Sequence, residues 1–213
     1  MFIKICGLAD PESIRQIAEL HPSMMGFIFY AFSPRNACAL LPSAVDAIPS
    51  DIERVGVFVN TPVEHILRTA ARYGLTAVQL HGNESPETCD ALRKSGFKVM
   101  KAIGIGDNID WENLRRYEGT IDRFVFDTAT DYHGGSGRKF DWTLLRGYPL
   151  ATPFLLRGGI TPDDGGGRHQ QPFRDPSRIQ ISPTCQSLYG GTLIIQDIFH
   201  HIHRFIFRTY LTP

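Results

Sequence analysis

Residues 54–81 read RVGVFVNTPVEHILRTAARYGLTAVQLH and contain one complete strand–helix–strand unit. The run 54–59 (RVGVFV) is short, apolar and rich in β-branched and aromatic side chains, as a buried strand should be. Thr61-Pro62 places a capping hydroxyl just before a proline suited to a first helical turn. Over 62–73, Val63, Ile66, Leu67 and Ala70 recur at three- and four-residue spacing, which gives a helix one apolar face. The run 76–80 (TAVQL) is then a second strand. Two strands joined through a helix run parallel, because a parallel pair needs a crossover.

The same unit repeats on both sides. Upstream lie Phe2–Cys6 (FIKIC) and 25–30 (MGFIFY), and downstream 98–103 (KVMKAI), 123–127 (RFVFD) and 152–156 (TPFLL). A further helix candidate occupies 11–20, with Ile14, Ile17 and Ala18 on one face, and Ser85-Pro86 repeats the capping pattern. Strand ends fall near 6, 30, 59, 80, 103, 127 and 156. Seven such units give either an open doubly wound sheet or a closed (β/α)8 barrel. The open fold often carries a Gly-x-Gly-x-x-Gly turn after its first strand, but here that strand ends in Cys6-Gly7-Leu8. Gly104-x-Gly106 lacks the third glycine. The fold class read from this spacing is therefore α/β, a compact (β/α)8 TIM barrel whose eighth unit must come from the tail.

The chain has 213 residues, with 22 Lys+Arg against 22 Asp+Glu. That length suits one domain with a sizeable core, and zero net charge gives no pull toward nucleic acid or an anionic membrane. No apolar run approaches the ~20 residues of a membrane helix, and no secretory signal is visible. Cys6, Cys38, Cys89 and Cys185 include no close pair of the kind that binds zinc, so the reading is a reduced, cytoplasmic protein without a metal.

The neutral total conceals a break. Residues 1–164 carry a balance of −3 and residues 165–213 one of +3. The last 49 residues contain no Ala, Val, Lys or Glu, and half of the eight His lie there. Residues 1–164 are therefore read as barrel units one to seven, and 165–213 as a divergent segment.

Active sites of such barrels lie at the C-terminal ends of the strands. Those positions hold Cys6, Ser33-Pro34-Arg35, Asn60, Gln79 with His81, Lys101, Asp127 and Gly158-Gly159. Together they offer acid–base groups and an anion-binding turn, without the carboxylate cluster of a metal-dependent barrel. Singly, each has a structural reading: a buried small hydrophobe for Cys6, a loop cap for Asp127, ordinary loop residues for Arg35 and His81. Gly134–Gly137 reads as a loop, since no helix immediately follows it.

The order of motifs carries more than any one of them. Lys4-Ile-Cys-Gly-Leu8, Gly26-Phe-Ile-Phe-Tyr30 with Ser33-Pro-Arg35, Val55-Gly-Val-Phe-Val-Asn60 and Val78-Gln-Leu-His-Gly82 with Glu84 come first. Phe126-Asp-Thr128, Gly134-Gly-Ser-Gly137 with Phe140-Asp-Trp142, and Leu155-Leu-x-Gly-Gly-Ile-Thr-Pro162 follow. Over about residues 2–164 the chain strongly resembles phosphoribosylanthranilate isomerase, a (β/α)8 enzyme of tryptophan biosynthesis. The resemblance implies an Amadori rearrangement of N-(5-phosphoribosyl)anthranilate to 1-(2-carboxyphenylamino)-1-deoxyribulose 5-phosphate, with no cofactor and a small phosphosugar as the only ligand. It places the general base at Cys6 and the general acid at Asp127. It places substrate-binding residues at Arg35, His81, Gln79, Gly158 and Gly159. A carboxyl desolvated in a barrel mouth would hold its proton for ring opening, and an activated thiolate is a competent base for the acidified C2 proton. The expected assembly is a monomer or homodimer.

The family continues with an eighth strand of the type Gly-Val-Asp-Val-Ser-Ser-Gly, and residues 165–213 contain none. Residues 178–182 (RIQIS) could serve as a strand, and 192–210 has helical spacing at Leu193, Ile194, Asp197/Ile198, Ile202, Phe205 and Ile206. Two explanations stand: a shifted reading frame beginning near Asp164–Gly165, or a real end that closes the barrel differently. Without an eighth strand, strands one and seven would expose unpaired edges, and low stability with weak activity is expected. The alternatives in function are a non-catalytic remnant binding phosphosugar feebly and a barrel for a different phosphosugar. His200-His201-x-His203 is read as no metal site, because the spacing does not share a helix face.

Overall fold

The computed structural model describes residues 2–129, 140–158 and the strand at 192–195. Eight parallel strands close into a barrel in sequence order: β1 Phe2–Cys6, β2 Met24–Ile28, β3 Glu53–Phe58, β4 Ala77–Leu80, β5 Lys98–Ile105, β6 Arg123–Thr128, β7 Phe154–Leu156 and β8 Thr192–Ile195. The seven strands read from sequence agree with β1–β7 to within two residues at each end. Between them lie α1 Pro11–Ala18, α2 Ser43–Asp46, α3 Val63–Tyr73, α4 Pro86–Lys94 and α5 Trp111–Arg115, with a 3-10 turn at Trp142–Leu145.

Local chemistry sets the helix ends. Asp10 caps α1 by accepting from the Ser13 N–H at 2.8 Å, and Pro11 opens the first turn. Ser85 caps α4 through the Thr88 N–H, as its sequence suggested. Thr61 differs: its hydroxyl donates back to the Val59 carbonyl at 3.2 Å, and α3 starts without a side-chain cap. The helix nevertheless buries Ile66 and Ala70 and stops at Gly74, whose φ of 57° is the left-handed conformation favoured at a helix C-terminus.

Strand alternation sorts the core into two compartments. Ile5, Phe27, Phe58, Val78, Leu80, Val99, Phe124 and Phe126 point outward and pack with helix residues such as Ile14, Ile66 and Leu92. Met24, Val55, Ala77, Met100, Ala102, Val125 and Leu155 form a separate apolar layer drawn only from strands, the plug of the barrel interior. By the same alternation Lys4, Cys6, Gly26, Gln79, Asp127 and Arg157 fall on the inward side, at and above that plug.

The eighth strand corrects two expectations. Thr192–Ile195 pairs with β1 over Phe2–Ile5 and touches β7 at Leu156↔Leu193, so neither edge is left open. The helical spacing read over 192–210 therefore fails at its start. Three consecutive large apolar residues, Leu193, Ile194 and Ile195, have no period that separates strand from helix, and the unpaired edges of β1 and β7 decide the outcome. Residues 178–182, 196–213, Gly134–Gly137 and the His200–His203 cluster lie outside the described residues.

Candidate active site

Cys6 ends β1 and is buried beside Ile28, Val57 and Tyr30. It pairs in register with Gly26, and a Cβ at that glycine would lie 2.7 Å from the Cys6 Sγ and 3.0 Å from the Lys4 Nζ. Only a residue without a side chain leaves space there for the sulfur and the ammonium together. Lys4 is 1% exposed, and its ammonium donates to the Gln79 Oε1 at 2.9 Å. Gln79, expected among substrate-binding residues, is thus wholly buried on β4 and occupied by Lys4.

Burial alone would push the Cys6 thiol up, but the positive charges of Lys4, Arg157 and Arg35 outweigh it. The thiol is held below its ordinary range. Burial pulls the Lys4 ammonium down; Cys6 offsets this only in part, so the group stays below its ordinary range. Arg35 reaches this group from the turn after β2: a Cβ on Gly7 would meet its side chain at 3.1–3.3 Å, and Gly7 adopts a φ of 87°. Burial raises the second enclosed thiol, Cys89 behind α4, to about 11, so it stays protonated at neutral pH.

Asp127 lies inward near the end of β6 and is 6% exposed. Its Oδ1 accepts from the Thr128 N–H at 2.9 Å, and its Oδ2 lies 2.9 Å from the Arg157 guanidinium. His81 stands beside both, 3.9 Å from that carboxylate oxygen and 3.3 Å from the Arg157 guanidinium. The sequence reading expected desolvation alone to act on Asp127. Instead a buried cation contacts it, because Arg157 lies two positions after Leu155 on the inward side of β7.

Lys101 and Asn60 belong elsewhere. On β5, Lys101 alternates with the inward Ala102 and faces outward, where its ammonium meets Glu84 at 3.1 Å and the Gly82 carbonyl at 2.6 Å. Glu84 also accepts from the Asn60 and Gly82 N–H groups at 2.7 and 2.9 Å. Asn60 holds a φ of 49°, and a Cβ on Gly82 would sit 2.3 Å from its Oδ1. These motif residues tie the loops after β3 and β4 to each other and to β5, beside His81. Gly158 has a φ of 95° at the end of β7, and Gly159 lies outside the described residues.

Sequence reasoning missed Lys4 and Arg157. Both carried a readable signal: a basic residue at an inward position of a strand whose neighbours are apolar.

Comparisons with known proteins agree on one family. The family described as N-(5′phosphoribosyl)anthranilate (PRA) isomerase matches residues 3–170. An N-(5′-phosphoribosyl)anthranilate isomerase of Parabacteroides distasonis is 41% identical over 210 residues, covering 94% of each chain. That of Phocaeicola vulgatus is 43% identical over 162 residues, covering 76% of this chain and 77% of the relative. Among solved structures, the Thermotoga maritima phosphoribosyl anthranilate isomerase superposes with a TM-score of 0.71 at 30% identity, covering 92% of this chain and 87% of that one. Another phosphoribosyl anthranilate isomerase, in complex with reduced 1-(o-carboxyphenylamino)-1-deoxyribulose 5-phosphate, superposes at 0.67 and 25% identity, with the same coverage.

Proposed function

Because the chain belongs to the N-(5′-phosphoribosyl)anthranilate isomerase family, we infer that its barrel mouth carries out the family's Amadori rearrangement through Cys6 and Asp127. The chain is an isomerase of tryptophan biosynthesis. Its substrate is N-(5-phosphoribosyl)anthranilate and its product 1-(2-carboxyphenylamino)-1-deoxyribulose 5-phosphate.

Asp127 gives a proton to the ribose ring oxygen. As the C1–O bond breaks, the anthranilate nitrogen forms a double bond to C1, which leaves an iminium. Cys6, as thiolate, then takes the C2 proton; an S–H bond forms, and the C–H electron pair becomes the C1–C2 double bond while the iminium is neutralised. The enolamine gains a proton at C1 and releases the one on O2 to give the ketone. Asp127 starts the cycle protonated, so Arg157 has to release it; an anionic group of the substrate arriving beside Gly158 is the partner to which Arg157 turns. Arg35 faces the anthranilate end, His81 lines the pocket beside Asp127, and Gly158 with Gly159 receives the phosphate. Gln79 acts beneath the pocket through Lys4.

The observation that supports this reading best is the set of cations around one buried thiol, with a carboxylate joined to it through Arg157. General acid–base chemistry needs that pairing of groups, whereas a simple phosphate-binding barrel does not. The chain acts in the cytoplasm as a monomer or homodimer. Residues 165–213 form a divergent segment with two readings. The family match ending at residue 170 and the composition change at 164 favour a shifted frame. The strand at Thr192–Ile195 and a relative matched over 94% of this chain favour a real end that closes the barrel differently. Translation of the other frames downstream of Asp164 should give a Gly-Val-Asp…Ser-Ser-Gly segment, and its absence from both would refute the shift.

Turnover is followed by the fluorescence loss of phosphoribosylanthranilate, alongside affinity for the reduced product analogue. Turnover together with tight analogue binding supports the assignment. Binding without turnover would make the chain a non-catalytic remnant.

A further inference from the structure

Lys4 is a fully enclosed ammonium on the inward side of β1, two residues before Cys6 and in the same alternation. Burying a charge is costly unless something at the site stabilises it. Among the described residues, it donates to the neutral Gln79 amide oxygen at 2.9 Å; the charged groups that act on it are the Cys6 sulfur, which favours the ammonium, and more weakly the Arg157 guanidinium, which opposes it. The Cβ position above Gly26 shows how close the two groups are, since it lies within 3.0 Å of both the ammonium and the sulfur. Met24, Val55 and Ala77 in the plug beneath are apolar and offer no competing anion.

We propose that Lys4 is a positioning residue for the base: its ammonium, anchored by Gln79 and admitted by Gly26, forms a buried ion pair with the Cys6 thiolate. The pair accounts for an arrangement that packing alone would disfavour, in which a lysine, a glutamine and a bare glycine meet directly above the apolar plug of the barrel. It also gives the base a partner that does not depend on substrate. When Cys6 takes the C2 proton, the pair becomes an ammonium beside a neutral thiol, and Gln79 keeps the ammonium in place until the sulfur loses its proton again. From the elements around Cys6, the charged groups that face it are Lys4 on β1, Arg35 after β2 and Arg157 after β7, with Asp127 of β6 engaged by Arg157. Both arginines lie nearer the mouth, where substrate anions compete for them; Lys4 is out of reach below.

The ion pair rests on the assignment of Cys6 as base for its purpose, but its existence can be measured without turnover. The thiolate absorbs near 240 nm, and the difference spectrum between the intact chain and its Cys6→Ser variant isolates this sulfur from the other thiols. Titration of that difference should give a midpoint below the ordinary thiol range. In Lys4→Met the midpoint should rise by about one to three pH units, the effect of removing one close opposite charge. Lys4→Gln removes the charge but keeps a polar group that can donate to the Gln79 amide oxygen, so its midpoint should rise too. Should Lys4→Met fail to fold by circular dichroism, Lys4→Gln decides.

An unchanged midpoint in folded Lys4→Met, or in Lys4→Gln when that variant decides, overturns the proposal. A raised midpoint together with an acid limb of kcat/KM that moves by the same amount supports both the pair and the base. A raised midpoint with an unmoved limb keeps the pair and removes Cys6 from the base role, so the two failures are distinguishable.

Discussion

Among the described residues two lysines are buried, one on β1 and one on β5, and they do opposite things. Lys101 faces outward from β5 and is saturated: a carboxylate from Glu84 and the carbonyl of Gly82 hold it, and Glu84 in turn secures two loop N–H groups. Lys4 faces inward from β1 and meets a neutral amide oxygen and a thiol. A charge that is fully compensated stiffens the scaffold. A charge held by a neutral anchor retains the capacity to stabilise an anion beside it, and Cys6 is that anion. Alternation along the strands, a matter of one residue's parity, separates the two roles.

Breaking the outward pair should have the largest effect on stability. Glu84→Gln leaves the Lys101 ammonium buried without its carboxylate, and a loss of about 3–5 kcal/mol in a denaturant melt is expected. The inward group should respond differently to crowding. Gly26→Ala forces a Cβ to within 2.7 Å of the Cys6 sulfur, costs about 1–3 kcal/mol of overpacking, and should lower kcat more than it raises KM. An equal effect of both substitutions on stability and on kcat would erase the contrast between the regions.

Arg157→Met should move the pH profile, through a free-energy change of about 1.4 kcal/mol for each pH unit. Removing this cation weakens support for the Cys6 thiolate, so the acid limb of kcat/KM rises in pH. A limb that stays in place would take Arg157 out of the electrostatics around the thiol. The smallest effect lies far from both lysines: Asp10→Ala removes the α1 cap and should cost about 1 kcal/mol with kcat unchanged.

Much of the scaffold was legible because periodicity is local information. Runs such as RVGVFV and the spacing of Ile66 and Ala70 announced strand and helix before any contact was known. Cys6 and Asp127 stood at strand ends, where the barrel requires chemistry to be. Less legible was anything decided by long-range closure. Thr192–Ile195 reads equally as the start of a helix, and only the open edges of β1 and β7 make it a strand. Lys101 looked like a mouth residue because its position in β5 was counted from the strand end rather than by parity with Ala102. Gln79 does have the inward parity, and what its position in the strand does not show is that its amide oxygen meets Lys4. Thr61 shows the limit of motif reading at the smallest scale: the hydroxyl is present, but it turns back to Val59 instead of capping α3.

The central claim is that one thiol and one carboxyl perform the proton transfers at the barrel mouth. It is tested most directly by the rate of phosphoribosylanthranilate consumption in Cys6→Ser and Asp127→Asn, each checked for native circular dichroism and analogue binding. Each substitution should lower kcat by about 10²–10⁴-fold, the usual contribution of a positioned acid or base. Rates in both variants equal to that of the unaltered chain would contradict the account.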